Sequence, residues 1–478
     1  FFSIPGVNLY SYTYPEYPFV NHHWLSGVIF FAVTKICGFS GLSIFSLILC
    51  IATFLIFFRL AWRFSRFETA ALVSLITIPL FASRTEIRPE LFTYFLSAVF
   101  FWILWNYSYG RISRRWVFLL PVLEILWVNL HIYFLLGPLL IGLFLVVSLF
   151  IPSPRGKMFT PLSGILMLVL VLSLAASLVN PYGIKLTLYP FFIGRGYLNL
   201  PLDQQSFFTL QKDISSGVLF FTSLDYFKLA LGLLLVSWLF VLFRLKKERR
   251  DFLWMNIMLS LFFVAMAISA VRNFALFGYF VLCIISINLQ GIIKWEMNNK
   301  KGKIIFLSLF ILVLGNLFLF CPQYWMRKGD LAIGLKKGVS AGADFFIRER
   351  IQGPIFNNYD IGGYLIYYLY PQYRVFVDNR PEAYPSFFLR DVYIAMQEKE
   401  KAWLDADKRY QFNAIFFYRK VLSAWGQNFL IQRVFDPLWA PVYVDDYCII
   451  LLKRNAINKE LIQKYTLPKE MFSAVKVR

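Results

Sequence analysis

Long apolar stretches recur along the first two thirds of the 478-residue chain. A helix needs about 20 apolar residues to cross the hydrocarbon core of a bilayer. Windows close to that length lie at residues 42–60, 67–83, 91–106, 115–130, 132–151, 162–178, 226–243, 252–270, 273–289 and 304–321. This pattern predicts a polytopic α-helical membrane protein with about ten spans.

A shorter apolar stretch, residues 24–36, precedes these windows. It is too short to span a bilayer, and its length suits a helix that lies in the membrane interface. Trp24 at its start belongs to a residue type that anchors proteins at the boundary between membrane and water. We therefore expect residues 1–40 to form an outer loop that carries an interfacial helix.

Basic residues are concentrated in every second predicted connection. They cluster at residues 59–66, 111–115, 155–157, 244–250 and 294–303. Short cytoplasmic loops carry such an excess of Lys and Arg, so these connections should face the cytoplasm. This alternation requires that residues 24–36 do not cross the membrane. It places residues 1–40, the long loop 180–225 and everything after residue 321 on the outer side.

After residue 321 the long apolar runs give way to short ones separated by charges. Residues 354–357, 374–377, 414–417, 441–444 and 448–452 have the pattern of strands. Residues 341–350, 361–369, 386–396 and 424–432 have the pattern of helices. We therefore expect two domains, a transmembrane domain at residues 1–321 and a small α/β domain at residues 322–478 on the outer side.

The composition supports a membrane protein. Hydrophobic residues make up 59% of the chain and charged residues 16%, whereas soluble domains have about 45–50% and about 25%. The formal net charge of +21 is explained by topology, because apolar runs interrupt the basic residues and no nucleic-acid recognition motif accompanies them. The lipid bilayer is therefore the expected partner, and nucleic acid is not.

The five cysteines form neither a CxxC nor a Cys/His pattern, so neither a disulfide framework nor a metal motif is indicated. The sequence starts with Phe1, and no signal peptide with a basic region is visible. We expect an earlier membrane segment to be missing from it.

All three histidines fall on the predicted outer side. His22 and His23 lie in the opening loop, and His131 lies at the outer end of a span. Two adjacent histidines point in different directions in most backbones, so His22 and His23 alone do not indicate a joint metal site. Contact with an anionic ligand or an acceptor, or anchoring of the loop by hydrogen bonds, are the open alternatives.

Glu124 lies within a predicted span. An ionisable group at that depth is costly and is by default a functional hypothesis. Helical spacing places Glu124 and His131 on one helix face, seven residues apart. The alternative is that Glu124 pairs with a buried partner inside the helix bundle.

Three arginines lie on the predicted outer side, against the positive-inside bias: Arg84, Arg88 and Arg272. Arg binds phosphate oxygens through a rigid fork of donors. Local pairing with Glu86 or Glu90 is the better explanation for Arg84. For Arg88 and Arg272, phosphate contact and a structural role are both open.

Two further motifs combine turn residues with polar side chains. Asn180–Gly183 (NPYG) ends a span. It either serves only to end the helix or contacts a ligand through Asn180 and Tyr182. Residues 357–363 (NNYDIGG) lie between a predicted strand and helix, where loops of α/β folds often bind ligands. Asp378 and Arg380 follow another predicted strand and either contact a ligand or pair with each other.

Five segments in order resemble a known family. They are SYTYPEYPFVNHHWLSG, RPELFTYFL, WVNLHIYFLLG, LVNPYG and FNNYDIGGYLIYYLYPQYRVFVDNRPEAY. Together they resemble bacterial membrane glycosyltransferases with the GT-C fold, which transfer a sugar from a polyprenyl-phosphate carrier on the outer face of the membrane. The resemblance implies a multi-pass protein of the cytoplasmic (inner) membrane whose loops and C-terminal domain face outside. It also implies that an Asp-rich, Trp-His segment precedes Phe1 in such proteins and is absent here.

The resemblance implies an inverting displacement. A carboxylate would deprotonate the acceptor hydroxyl, and basic groups would stabilise the lipid-phosphate leaving group. The catalytic candidates are Glu16 and Glu124. The candidates for donor-phosphate or substrate binding are His22, His23, Arg88, Glu90, His131, Asn180, Tyr182 and Arg272. The candidate contacts of the outer domain are Tyr359, Asp360, Asp378 and Arg380.

Two other functional classes are compatible with such a chain. A transporter or flippase of lipid-linked saccharides needs phosphate contacts but no base, although the paired, broken half-helices of inverted repeats are not visible. A non-catalytic envelope assembly protein would use the outer domain to bind other envelope proteins. The sugar, carrier, acceptor, oligomeric state and any need for a divalent metal ion stay open.

Overall fold

The structure is a computed structural model that describes residues 4–84, 86–150, 161–193, 206–208, 223–243, 250–290, 299–320, 333–421 and 423–472. The described residues group into two compact units. The first, here called the helical unit, lies within His22–Pro190 and Asn199–Gly334. The second, here called the mixed unit, lies within Phe1–Asn21, Phe191–Leu198 and Leu335–Arg478.

The helical unit consists of helices and short 3₁₀ turns. Its helices are α1 (Trp24–Phe64), α2 (Phe67–Ala82), α3 (Glu90–Ser108), α4 (Arg114–Val117), α5 (Leu119–Leu130), α6 (Leu136–Phe150), α7 (Pro161–Ala176), α8 (Ile184–Leu188), α9 (Ser223–Phe243), α10 (Arg250–Ser269), α11 (Phe274–Asn288) and α12 (Lys300–Phe320). The 3₁₀ segments Ile132–Leu135 and Val271–Asn273 lead into α6 and α11. Each predicted apolar window overlaps at least one of these helices.

Length and composition make several helical segments able to cross a membrane. Those found among the described residues are Trp24–Phe64, Glu90–Ser108, Ile132–Leu149, Ser223–Leu242 and Val271–Asn288. The apolar helices Phe67–Ala82, Leu162–Ala176 and Trp254–Ser269 are shorter. A membrane protein is therefore indicated, whereas the number of ten spans stays a prediction.

Helix α11 lies at the centre of the helical unit. Every residue from Phe274 to Asn288 is buried, as expected for a helix that is apolar on all sides. The ring of Phe280 lies 5.0 Å from that of Phe57, 5.0 Å from that of Phe101 and 3.8 Å from that of Phe263. Aromatic packing therefore joins α11 to α1, α3 and α10.

Gly38 interrupts α1. Its backbone has φ +69° and ψ −175°, a combination that essentially only glycine adopts without strain. The interruption lies two residues after the end of the short helix predicted at residues 24–36. That this short helix lies in the membrane interface stays a prediction.

The mixed unit contains a four-stranded sheet, which confirms the small C-terminal sheet domain. Its strands are β1 (Ile355–Asn357), β2 (Ala414–Tyr418), β3 (Trp439–Val444) and β4 (Cys448–Lys453), in the order β1-β2-β4-β3. Strands β1 and β2 are parallel, and β4 pairs antiparallel with both β2 and β3. The helices are α13 (Ala341–Arg348), α14 (Gly362–Leu369), α15 (Ala395–Glu398), α16 (Glu400–Tyr410), α17 (Ala424–Phe435) and α18 (Lys459–Tyr465), and a π-helical segment covers Phe388–Ile394.

The strand predicted at residues 374–377 is wrong. Val375 makes an isolated bridge with Ser11 instead of joining the sheet. The Val375 amide donates to the Tyr10 carbonyl at 3.0 Å, and the Tyr12 amide donates to the Val375 carbonyl at 3.1 Å. The extended chain was predicted correctly, but its partner is a distant segment rather than a neighbouring strand.

Residues 4–21 therefore group with the mixed unit, although the predicted domain boundary assigns them to the transmembrane domain. Side chains hold this segment where regular secondary structure is lacking. The Tyr12 hydroxyl donates to the Ile355 carbonyl at 2.8 Å, and the Thr13 hydroxyl donates to the Phe376 carbonyl at 2.9 Å. These bonds tether residues 4–21 to backbone carbonyls of the mixed unit.

Candidate functional site

Polar side chains meet where α5 ends and α3 begins. Thr93, in the first turn of α3, has its hydroxyl 2.8 Å from Nδ1 of His131. The indole Nε1 of Trp127 donates to the same hydroxyl at 3.0 Å. Thr93 and Trp127 have no exposed surface, and His131 is 6% exposed. The imidazole is therefore held in place by a buried hydrogen-bond chain.

Arg272 joins His131 through an intervening tyrosine. Its Nε donates to the Tyr133 hydroxyl at 3.1 Å, and that hydroxyl donates to Oδ1 of Asn273 at 3.1 Å. The Tyr133 ring lies 5.2 Å from the His131 ring, and the Arg272 guanidinium lies 5.4 Å from the Tyr133 ring. Two predicted site residues, 141 positions apart in the chain, thus contact the same tyrosine.

The beginning of α1 is fastened to the end of α5. Trp24 Nε1 donates to Oδ1 of Asn129 at 2.8 Å, and the Ser26 hydroxyl donates to the Leu130 carbonyl at 2.6 Å. His22 and His23 immediately precede this anchored turn, and their rings lie 4.4 Å apart. The anchoring brings both histidines close to His131, which directly follows Leu130.

His131 lies in the turn before the Ile132–Leu149 segment. Both burial and nearby charges act on its imidazole. Burial lowers the pKa of its imidazole well below the ordinary value. The positive charges of Arg272, His22, His23 and Arg84 lower the pKa further, in that order. We call these five residues the His131 cluster. Because the charged groups that act on His131 are basic, the cluster is suited to an anionic ligand.

Arg84 and Glu90 form a two-bond ion pair at the start of α3. The Arg84 guanidinium donates to the two Glu90 carboxylate oxygens at 2.9 and 2.7 Å, and the Tyr94 hydroxyl donates to Glu90 at 3.2 Å. The pairing predicted for Arg84 is confirmed. Glu90, predicted to bind substrate, therefore has its carboxylate engaged by two donors of the protein itself.

Arg88 forms an ion pair with Glu86, and both side chains are well exposed. Surface pairs of this kind contribute about 0–1 kcal/mol to stability. The phosphate role predicted for Arg88 stays open, since such a weak pair gives way readily to a ligand.

Asn180 closes a turn after α7. Its Nδ2 donates to the carbonyls of Ser177 and Gly183 at 2.9 and 3.1 Å, and its Oδ1 accepts the Tyr182 amide at 2.9 Å. Both ends of the side-chain amide are thus used within the turn. This arrangement favours the hypothesis that NPYG serves to end the helix over the hypothesis that Asn180 contacts a ligand directly.

Glu124 is fully buried in α5. Both carboxylate oxygens lack a hydrogen-bond partner among the described residues, so the buried partner that the sequence offers as an alternative is not found there. A Cβ atom on Gly137 would lie 2.3 Å from Oε2 of Glu124 and 2.9 Å from the Phe100 ring. The absence of a side chain at Gly137 provides the space that the carboxyl occupies.

Glu16, the other catalytic candidate, belongs to the mixed unit and is exposed. It lies in a tight turn in which the Tyr17 amide donates to the Tyr14 carbonyl at 3.2 Å. An exposed carboxylate is accessible to a soluble or lipid-linked acceptor, whereas the Glu124 carboxyl is enclosed.

Asp378 and Arg380 pair with each other, as one of the two sequence hypotheses states. Arg380 Nε and one terminal nitrogen donate to the two Asp378 oxygens, each at 2.8 Å, and the Tyr384 hydroxyl donates to Asp378 at 2.9 Å. The same terminal nitrogen of Arg380 donates to Oδ1 of Asn8 at 2.9 Å, and the guanidinium lies 4.9 Å from the Tyr10 ring. The pair therefore fastens residues 4–21 to the mixed unit.

The loop with Tyr359 and Asp360 packs against the residues that follow Val377. A Cβ atom on Gly362 would lie 2.4 Å from Cα of Asp378, so only glycine permits this approach. Burial raises the pKa of the Tyr359 hydroxyl well above its ordinary value, and the charges of Glu382, Asp378 and Asp360 raise it further. The charged groups that act on Tyr359 are thus acidic, whereas those that act on His131 are basic.

Three residues that organise the His131 cluster were not predicted from the sequence: Thr93, Trp127 and Tyr133. A threonine or tyrosine in an apolar helix gives no signal of its own until its partners are known. Within the part of the chain that the structure describes, no group of three or more His, Cys, Asp or Glu side chains is arranged to hold a metal ion. Comparison with models of known protein families and with curated proteins found no match.

Proposed function

We propose that the protein is a membrane glycosyltransferase that moves a sugar from a polyprenyl-phosphate-linked donor to an acceptor outside the cytoplasm. The acceptor is a glycan, a lipid or a protein. The observation that supports this proposal is the convergence of Arg272, His22, His23 and Arg84 on His131. Residues that are distant in sequence thereby form one basic cluster in a protein with membrane-type helices.

The leaving group of such a reaction is a lipid phosphate, which gains negative charge as the bond to the sugar breaks. Preorganised donors aimed at developing charge stabilise a transition state more than they stabilise the substrate. The hydrogen bond to Tyr133 orients the Arg272 guanidinium, and a guanidinium is the side-chain group whose planar geometry suits phosphate oxygens. Arg84 is engaged by Glu90 and contributes through its charge.

The acceptor hydroxyl needs a base as it attacks the sugar. The sequence offers Glu16, whose side chain is exposed, and Glu124 as candidates for that role. The Glu124 carboxyl is enclosed by α5 and its neighbours and would need a rearrangement before it met an acceptor. Inversion at the sugar follows from a single direct displacement.

The decisive test replaces Arg272. Purified protein in liposomes is given a panel of synthetic polyprenyl-phosphate hexoses and pentoses, with an envelope glycan extract as acceptor, and sugar transfer is measured. We expect Arg272→Ala to lower kcat by about 10²–10³-fold, the effect of removing one transition-state donor. Arg272→Lys should recover only part of that loss, since an ammonium lacks the fork.

Arg59→Ala is the matched control, because Arg59 is an exposed arginine of α1 outside the His131 cluster. It should leave transfer unchanged. Unchanged transfer by a folded Arg272→Ala variant would refute the phosphate role.

The same basic cluster would also serve a transporter or flippase of lipid-linked saccharides. A fluorescent polyprenyl-phosphate sugar in the same liposomes separates the two functions. Movement of the lipid between leaflets without transfer to an acceptor would favour the transporter and contradict the enzyme.

A further inference from the structure

The Thr93 hydroxyl lies between two ring nitrogens, and only one assignment of hydrogens satisfies all three groups. Nε1 of Trp127 is only ever a donor, so it occupies one lone pair of the hydroxyl at 3.0 Å. The hydrogen of the hydroxyl then needs an acceptor. Among the described residues the atom within bonding distance for that hydrogen is Nδ1 of His131, at 2.8 Å.

The opposite assignment leaves a buried hydrogen without an acceptor. If Nδ1 of His131 carried a hydrogen, the Thr93 hydroxyl would accept two bonds and its own hydrogen would have no partner within the described part of the chain. Thr93 has no exposed surface, so water does not replace the missing acceptor. Buried polar groups are almost always paired, which disfavours this arrangement.

We infer that Thr93 is a positioning residue that holds His131 as the tautomer with its hydrogen on Nε2. Trp127 completes this arrangement. Its indole N–H occupies one lone pair of the Thr93 hydroxyl, so the hydroxyl hydrogen is donated to Nδ1 of His131. The inferred direction of donation therefore runs from Trp127 to Thr93 and from Thr93 to His131.

This tautomer gives the His131 cluster a neutral donor. Nε2 of His131 is not among the enclosed polar atoms that lack a partner in the described residues. Burial, and then the charges of Arg272, His22, His23 and Arg84, lower the pKa of the imidazole and favour its neutral form. On the proposed function, Nε2–H donates to a phosphate oxygen of the lipid carrier, and donor binding does not require a protonated His131. This last step depends on that proposed function, whereas the tautomer does not.

The test uses nitrogen NMR on the full chain in nanodiscs with ¹⁵N-labelled histidine. The chain has three histidines, so His22→Gln and His23→Gln variants assign the His131 signals. We expect Nδ1 of His131 to be unprotonated and Nε2 to be protonated between about pH 6 and pH 8. A protonated Nδ1 in the unmodified protein would overturn the inference without any variant.

Thr93→Val removes the hydroxyl while keeping the shape of the side chain, and it should convert the single tautomer into a mixture. Thr93→Ser should retain the Nε2–H tautomer. Thr77→Val is the matched control, because within the described residues the buried Thr77 hydroxyl bonds to the carbonyls of Val73 and Ser74 in its own helix. It should leave the His131 signals unchanged. Unchanged signals in a folded Thr93→Val variant would contradict the inference.

Transfer assays separate this inference from the proposed function. If transfer occurs, Thr93→Val should raise the KM for the polyprenyl-phosphate donor about tenfold, the effect of losing one hydrogen bond of about 1.4 kcal/mol. An Nε2–H tautomer in a protein that transfers no sugar would refute the function and leave the inference intact. Sugar transfer by a protein in which Nδ1 of His131 is protonated would support the proposed function and refute the inference.

Discussion

Two glutamates of the helical unit have opposite surroundings. The Glu90 carboxylate accepts bonds from Arg84 and Tyr94, whereas both oxygens of Glu124 lack a partner among the described residues. A buried polar group without a partner retains the free-energy cost of leaving water. The same substitution should therefore have opposite effects on stability at the two positions.

We expect Glu124→Met to raise the free energy of unfolding by about 1–3 kcal/mol, because the unpaired carboxyl is removed at similar volume. Glu90→Met should lower it by a comparable amount, since the partly buried Arg84 guanidinium loses its ion pair with Glu90. Thermal unfolding of the detergent-solubilised protein measures both. A destabilised Glu124→Met variant would indicate that Glu124 has a partner after all. Loss of transfer without loss of stability would support the catalytic role predicted for Glu124.

At the scale of elements, two stretches depart from the pattern of long helices. Residues 4–21 have no regular helix or sheet, yet the Arg380–Asn8 and Tyr12–Ile355 hydrogen bonds hold them in the mixed unit. Helix α1 is interrupted at Gly38, where the backbone takes a positive φ. In both cases individual side chains or a single glycine determine the path of the chain.

Gly38→Ala should destabilise the protein by about 1–3 kcal/mol, because an alanine at φ +69° and ψ −175° is strained even though the surrounding space is open. Gly27→Ala in the same helix is the control. It also meets nothing within 4 Å, and it should stabilise by about 0.5–1 kcal/mol through helix propensity. Thermal unfolding measures the stability of both variants. A shift of both melting temperatures in the same direction would contradict backbone strain at position 38.

At the scale of the whole molecule, charged residues lie at both ends of the membrane-length helix α3. Helix α3 contains 19 residues and is therefore about 28 Å long at 1.5 Å per residue, close to the thickness of a hydrocarbon core. Arg84 and Glu90 lie at its beginning, and Arg111, Arg114 and Arg115 follow its end. The Arg84–Glu90 ion pair at one end of α3 and the three arginines after its other end are thus separated by about the thickness of a hydrocarbon core.

This separation predicts the sidedness of the protein in a cell. A reporter fused after Gly110, beside the basic residues, should be cytoplasmic, whereas reporters fused after Gly38 or Gly183 should be outside. Enzymatic reporters that are active on one side only measure this directly. A cytoplasmic signal at Gly38 would overturn this topology and would reverse the predicted placement of the His131 cluster.

Local features could be predicted from the sequence. The apolar windows coincide with helices, because burial of a long apolar stretch as a helix needs no information from elsewhere in the chain. The pairs Arg84–Glu90 and Asp378–Arg380 are also local, since their members are six and two residues apart. Distant pairings could not be predicted, and Val375 shows the reason: its extended backbone was evident, but its partner at Ser11 lies 364 positions away.

The sequence by itself determined a helical membrane protein, a small C-terminal sheet domain and the residue types from which the proposed anion site is built. Only the tertiary structure decided which of these residues meet. Thr93, Trp127 and His131 form one hydrogen-bond chain because α3 and α5 pack side by side, and Arg272 reaches it through Tyr133 from a distant turn. Hydrophobic periodicity is a property of a single segment, whereas the direction of a hydrogen bond depends on two segments at once. For that reason the sequence indicates where the helices lie, and the structure shows what the histidines touch.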